Sequence, residues 1–192
     1  QSVEEKNPDA FNILVMGPWV HGGWARGDGS QVGNIYFGEG ISEFYRREIE
    51  APFFNHFLKD GPAPRLSEAI VWETGENRWR RFDAWPPAET QAMDLYLHEE
   101  GRILEVAPTA DPSDPNDASD SWVSDPDKPV PYTETITTGM TRAYMTDDQR
   151  FAARRPDVLV YQTDVLEEDV TLAGPILADL WVATSGTASD FV

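Results

Sequence analysis

The 192 residues contain no cysteine, which excludes disulfides and thiolate metal sites and is compatible with any compartment. No apolar run approaches the roughly eighteen residues needed to span a bilayer, and no signal peptide is visible. The amino terminus reads as internal to a longer chain, so the missing signal peptide says nothing about export. Basic residues are scarce, 15 against 34 acids, for a net charge of −19. Binding to phosphate backbones needs clustered Lys and Arg, so neither nucleic acid nor a membrane is an expected partner. Acidity on this scale makes a solvated, mutually repelling surface and mildly favours cationic ligands. There are only three histidines, and no G-x-S-x-G elbow occurs anywhere.

What is present is enough for a core: 40% hydrophobic residues and 11% aromatic ones, with seven tryptophans, in a length that allows one or two domains. The informative stretch runs from Asn12 to Gly23. Ile13, Leu14, Val15 and Met16 form an apolar run that stops at Gly17-Pro18, which predicts a buried strand of a parallel sheet. Ligands and catalytic groups gather at the carboxyl ends of such strands, and His21 follows there in a glycine-flanked loop. An imidazole in that place can take a proton from a hydroxyl and hand it to a leaving group. In α/β-hydrolases the triad runs Ser, then Asp or Glu, then His, so a catalytic His21 needs a nucleophile and an acid upstream of Gln1. Read without further context, a structural histidine held by backbone groups is as good an account.

The runs GPWVHGGWARGDGSQVGNIYFG, APFFNHFLKDG, EAIVWETGENRWRRFDAWPP and RRPDVLVYQTDVLEEDVTLAGPI resemble the cocaine-esterase-like and X-Pro dipeptidyl-peptidase family of serine hydrolases. Within it the likeness is greatest to the α-amino acid ester hydrolases and glutaryl-7-aminocephalosporanic acid acylases. The resemblance runs from about Asn12 to Val192. It implies an α/β-hydrolase domain, interrupted by a helical cap, followed by a jelly-roll β-domain. It also implies that His21 is the triad histidine of a GPW-x-H motif, with Ser and Asp outside these residues. The expected substrate is a small acyl ester or amide, with no metal and no organic cofactor. Homo-oligomers and a periplasmic or secreted location are further options that the family offers and these residues leave open.

The expected fold is thus mainly β with a helical amino-terminal part. Residues 1–62 would be the end of an α/β-hydrolase domain, and 63–192 a jelly-roll β-sandwich truncated at its end. Apolar positions at Phe44, Tyr45, Ile49, Phe53, Phe54, Phe57 and Leu58 predict a helix over 42–59. Pro52 should kink it or mark the meeting of two short helices, and Lys59 with Gly61 should end it. Beyond Gly61 a period of two predicts hairpins of 69–74 with 78–82 and of 93–98 with 102–106. Further strands are expected at 157–162, 170–173 and 176–184. Asp111, Asp114, Asp117 and Asp120 recur at every third position without the glycine and glutamate of a calcium loop, and read as a solvated connection.

Trp19 and Trp24 bracket His21 and could either wall an acyl pocket or pin the loop. Ser30 lies in an Asp-Gly-Ser turn, which is no strand-to-helix elbow, and Arg26-Gly27-Asp28 is a tripeptide that recurs by chance. His56 and His98 have no acid or hydroxyl partner at useful spacing and read as structural. A reading from another class treats the β part as a binding or assembly module. An exposed row of aromatic rings would favour that reading, and burial of Trp72, Trp79 and Trp85 would oppose it. Cocaine-esterase-like and X-Pro dipeptidyl-peptidase specificities are the alternatives within enzymes.

Overall fold

The computed structural model describes residues 2–109, 111, 114 and 119–187. They fall into two compact units: Gln1–Glu89 with Val130–Arg154, and Thr90–Pro129 with Arg155–Val192.

The first unit begins with a short helix α1 (Ser2–Lys6) and the strand β1 (Leu14–Met16). After the His21 loop, β2 (Gln31–Val32) and β3 (Ile35–Tyr36) form a tight hairpin around Gly33-Asn34. A helical segment follows: α2 (Ile41–Tyr45), a π-turn (Arg46–Glu50) and α3 (Ala51–Lys59). Its buried face carries Ile41, Ser42 and Ile49. Of the kink or the two short helices expected around Pro52, the structure has the two helices, joined by the π-turn. Pro52 sits in the first turn of α3, where a missing N–H costs little, and the wider turn just before it takes up the register change. Asp60, in the left-handed conformation (φ 53°), ends the helix. The Gly61 amide then donates to the Asn55 carbonyl at 2.9 Å, and the His56 ring, 2.9 Å from the Gly61 carbonyl, secures the same end.

The chain next enters β4 (Ala69–Glu73), which pairs in parallel with β1, Val15 opposite Ile70. Strand, helix and parallel strand make a crossover unit of the α/β type. β5 (Arg78–Phe82) returns antiparallel, so the sheet order is β1-β4-β5. Ala69 and Ile70 are fully buried. Glu73, nearly buried, accepts from Arg78 Nε at 3.1 Å and Arg80 Nη1 at 2.9 Å. Burial raises the Glu73 pKa, but the hydrogen bonds from Arg78 and Arg80 outweigh it and leave the carboxyl below its ordinary value. A depressed folded-state pKa means that these pairs stabilise the hairpin above the unfolded value of about 4.3 and lose that contribution as pH falls through the folded value. Glu73→Gln is therefore expected to lower stability at pH 7 and to flatten its pH dependence below pH 5. An unchanged acid-unfolding profile by circular dichroism would contradict this.

Segment 130–154 completes the unit. Ala152 of helix α4 (Arg150–Ala153) is buried, and so is Thr133, which donates to Asp147 at 3.3 Å. A 3₁₀ turn at Ala143–Met145 lies close to the β2–β3 hairpin, since a Cβ on Gly33 would stand 3.8 Å from Ala143 Cα.

In the second unit β6 (Tyr96–His98) and β7 (Arg102–Leu104) form the second expected hairpin. Glu100 and Gly101 take positive φ in its turn, and His98 lies 2.8 Å from the Val106 carbonyl. Arg102 makes a parallel bridge to Gln162, and the Tyr161 hydroxyl donates to Asp120 at 2.7 Å. Burial, then Asp120, pushes the Tyr161 phenol up to about 12. Apart from that bridge, the strands expected at 157–162, 170–173 and 176–184 are not formed. A strand needs a partner ladder for its N–H and C=O groups, and here Ile176 and Trp181 are 84% and 83% exposed. Asp117 lies outside the described residues.

Candidate functional site

The Gly17-Pro18 step ends β1 and turns the chain, with the Trp19 amide donating to the Gly17 carbonyl at 2.9 Å. Gly22, at φ 76°, and the 3₁₀ turn Gly23–Ala25 then reverse it. His21 occupies the tip, exposed, with its ring edge-on to Trp24 at 5.8 Å. It makes no hydrogen bond to any described residue.

Beneath the tip lies an aromatic cluster. Trp19 meets Tyr45 at 5.2 Å, Trp79 at 5.8 Å and Trp24 at 6.5 Å. Trp79 also stacks on Phe44 at 5.4 Å and touches Trp72 at 5.5 Å. Trp19 thus anchors the loop, and Trp24 stands between that anchor and the imidazole. The indole N–H groups of Trp19, Trp72 and Trp79 are buried without an acceptor among the described residues. Trp72 and Trp79 are thus half-buried, with their indole nitrogens turned inward, whereas Trp85 is 37% exposed beside Phe82.

The loop after His21 is stitched to the helix that follows. The hydroxyl of buried Ser42 donates to the Gly23 carbonyl at 3.1 Å, and its amide donates to the Asp28 carbonyl at 2.7 Å. One nitrogen of Arg46 donates to the carbonyls of Trp24 (3.0 Å) and Gly27 (3.1 Å). Ser42 and Arg46 are four apart, hence on one helix face, a spacing that could have flagged them in the sequence. The Asp28 carboxylate accepts from the Ser30 amide at 3.0 Å. That bond, and then one from the Ser30 side chain, hold the Asp28 pKa below its ordinary value. Ser30 is thereby tied within its own turn.

Gly29 lies where the loop crosses this helix. At φ +74° a Cβ would collide with Ser42 Oγ and stand 2.6 Å from Trp19 Nε1. Left-handed strain and overpacking together predict that Gly29→Ala costs about 2–4 kcal/mol. The urea midpoint of the full-length protein checks this, and an unchanged midpoint would contradict it.

A cleft of about 200 Å³ opens beside the tip, lined among others by Trp19, His21, Arg26, Asp28, Gln31 and Arg142. Trp24 touches His21 without lining the cleft. Arg142 precedes the 3₁₀ turn at Ala143–Met145, and no local pattern in the sequence points from it to His21. His56 and His98 lie at a helix end and a strand end, each against a backbone carbonyl.

Residues 63–192 match the family described as the X-Pro dipeptidyl-peptidase C-terminal non-catalytic domain. A cocaine esterase from Rhodococcus sp. (strain MB1 Bresler) is 27% identical over 189 residues, spanning 93% of this chain and 32% of its own length. Among solved structures, an aminopeptidase from a marine sediment archaeon, Thaumarchaeota archaeon, superposes with a TM-score of 0.73 at 37% identity, over 86% of this chain and 27% of that one. An α-amino acid ester hydrolase superposes with a TM-score of 0.72 at 31% identity, over 90% and 29%. The chain spans about a third of the length of the curated relative that it matches.

Proposed function

The chain belongs to the family of the X-Pro dipeptidyl-peptidase C-terminal non-catalytic domain, and from that premise we propose that it serves in a serine hydrolase of acyl esters or amides to which it contributes the triad histidine, His21. The observation that carries this is the placement of His21. It stands in an exposed loop at the carboxyl end of β1, which is paired in parallel with β4 across a helical crossover, the place where α/β folds do chemistry. Among the described residues β1 has a partner on one side only, which suits a strand inside a larger parallel sheet. We read residues 1–62 as the end of an α/β-hydrolase domain, whose sheet β4 joins from beyond that bound. Residues 63–192 are read as its non-catalytic β companion, a jelly roll when complete.

In the proposed mechanism a serine outside these residues attacks the carbonyl while His21 Nε2 or Nδ1 takes the hydroxyl proton. His21 then gives that proton to the departing alcohol or amine. In the second half-reaction it activates water, and the acid product is released. The half-buried Trp19 anchor and the Ser42 and Arg46 clamp hold the loop in place for both transfers.

A binding or assembly role for the β part draws support from the description of its family as non-catalytic and from the exposure of Trp85, Trp122 and Trp181. Assay of the full-length protein on a panel of p-nitrophenyl esters, α-amino acid esters and X-Pro dipeptide amides separates the readings. Turnover of any of these is expected, and a rank order among them assigns the specificity. Absence of turnover on the whole panel would favour the binding role.

A further inference from the structure

We propose that the cleft beside His21 is a binding site for a small carboxylate group, gripped by the guanidiniums of Arg26 and Arg142. If His21 is catalytic as proposed above, the group belongs to the substrate. The arginine grip itself does not depend on that reading.

Three observations converge. Both arginines line the cleft, yet neither makes an ion pair with a described residue, whereas Arg47, Arg78, Arg80, Arg102, Arg150 and Arg155 all do. Arg46, Arg65, Arg81 and Arg154 make no such pair either, but of these arginines only Arg26 and Arg142 line the cleft beside His21. Second, Arg26 is folded back toward the histidine: a Cβ on Gly22, the residue after His21, would meet Arg26 Cζ at 4.0 Å and nothing nearer. Third, the one acid in the lining, Asp28, is already engaged by the amide and side chain of Ser30. Two guanidiniums against one carboxylate leave the cleft with a positive excess, and the Gln31 side chain adds a neutral donor.

The chemistry that fits is a carboxylate, because a guanidinium offers it paired N–H donors in matching geometry. The net charge of −19 repels anions at long range, so only a local pair of this kind can hold one at the site. The acidity of the whole chain favours cations, but the charge at the cleft has the opposite sign.

The test is isothermal titration of the full-length protein with butanoate, using butanamide as the neutral isostere. Butanoate is expected to bind and to weaken with added salt, while butanamide binds at least tenfold more weakly. Arg142→Gln and Arg26→Gln should each raise the butanoate Kd about tenfold or more, with Lys at either position restoring part of the loss. Butanoate failing to bind, binding no better than butanamide, or binding within twofold of wild type in both glutamine variants would overturn the proposal. The kcat/KM ratio for p-nitrophenyl hemisuccinate over p-nitrophenyl pentanoate provides a second reading, which should fall at least tenfold in Arg142→Gln. A full-length protein that turns over neither ester but binds butanoate through the arginines would defeat the hydrolase reading and leave this one standing. Turnover with arginine-independent binding would do the reverse.

Discussion

Replacing His21 with alanine in the full-length protein is expected to lower kcat on activated acyl esters by about a million-fold, the scale seen when a triad histidine is removed from a serine hydrolase. The size follows from the number of steps affected. The imidazole would accept the nucleophile's proton, deliver it to the leaving group and then activate water, so one deletion blocks both half-reactions. Residual turnover would come from the oxyanion hole and from substrate binding alone. The substitution should leave the fold intact, because His21 is exposed and bonded to no described residue. Stopped-flow assay with p-nitrophenyl acetate reads the rate, and far-ultraviolet circular dichroism reads the fold. A kcat within tenfold of wild type would remove His21 from the mechanism.

The second large effect lies below the loop. Trp79 is the hub of the aromatic cluster, touching Trp19, Phe44 and Trp72, and it faces Trp72 across the β4–β5 ladder. Truncation to alanine removes the ring from all three contacts, and for this half-buried ring the cost is expected at the lower end of the range for core truncations, about 3 kcal/mol. In a protein whose total stability is on the order of 5–15 kcal/mol, that is a large fraction. Trp79→Phe keeps most of the apolar volume and deletes an indole N–H that has no acceptor among the described residues, so it should cost under about 1.5 kcal/mol. Denaturant midpoints of the two variants should differ accordingly. Equal midpoints would show that the cluster is not the support of this unit. Because Trp19 rests on Trp79 and lies two residues before His21, Trp79→Ala should also slow turnover in the fraction that remains folded.

Legibility in the sequence followed the range of the interactions. β1 and the β4–β5 and β6–β7 hairpins could be read because their signals are local: an apolar run closed by Gly-Pro, and turns at Gly75-Glu76-Asn77 and Glu99-Glu100-Gly101. The parallel pairing of β1 with β4 could not be read, since alternation gives a strand but not its partner. The β2–β3 hairpin around Gly33-Asn34 was hidden in a glycine-rich stretch with only two residues per strand. The 157–184 stretch has strand-like composition, but periodicity says nothing about whether a ladder is there to receive it. Trp85 shares the chemistry of Trp72 and Trp79, yet lies past the end of β5 and is more exposed. At the site, His21 was conspicuous in the motif, while Arg142 arrives from a distant segment that only the folded chain brings near.

In the proposed enzyme His21 serves a serine hydroxyl outside these 192 residues. The most direct test is labelling of the full-length protein with a fluorophosphonate probe, followed by peptide mapping of the adduct in wild type and in His21→Ala. One stoichiometric adduct is expected, on a serine outside residues 1–192, formed rapidly in wild type and at least a thousandfold more slowly without the imidazole. An adduct on a serine within this chain, or one that forms equally fast in both proteins, would contradict it.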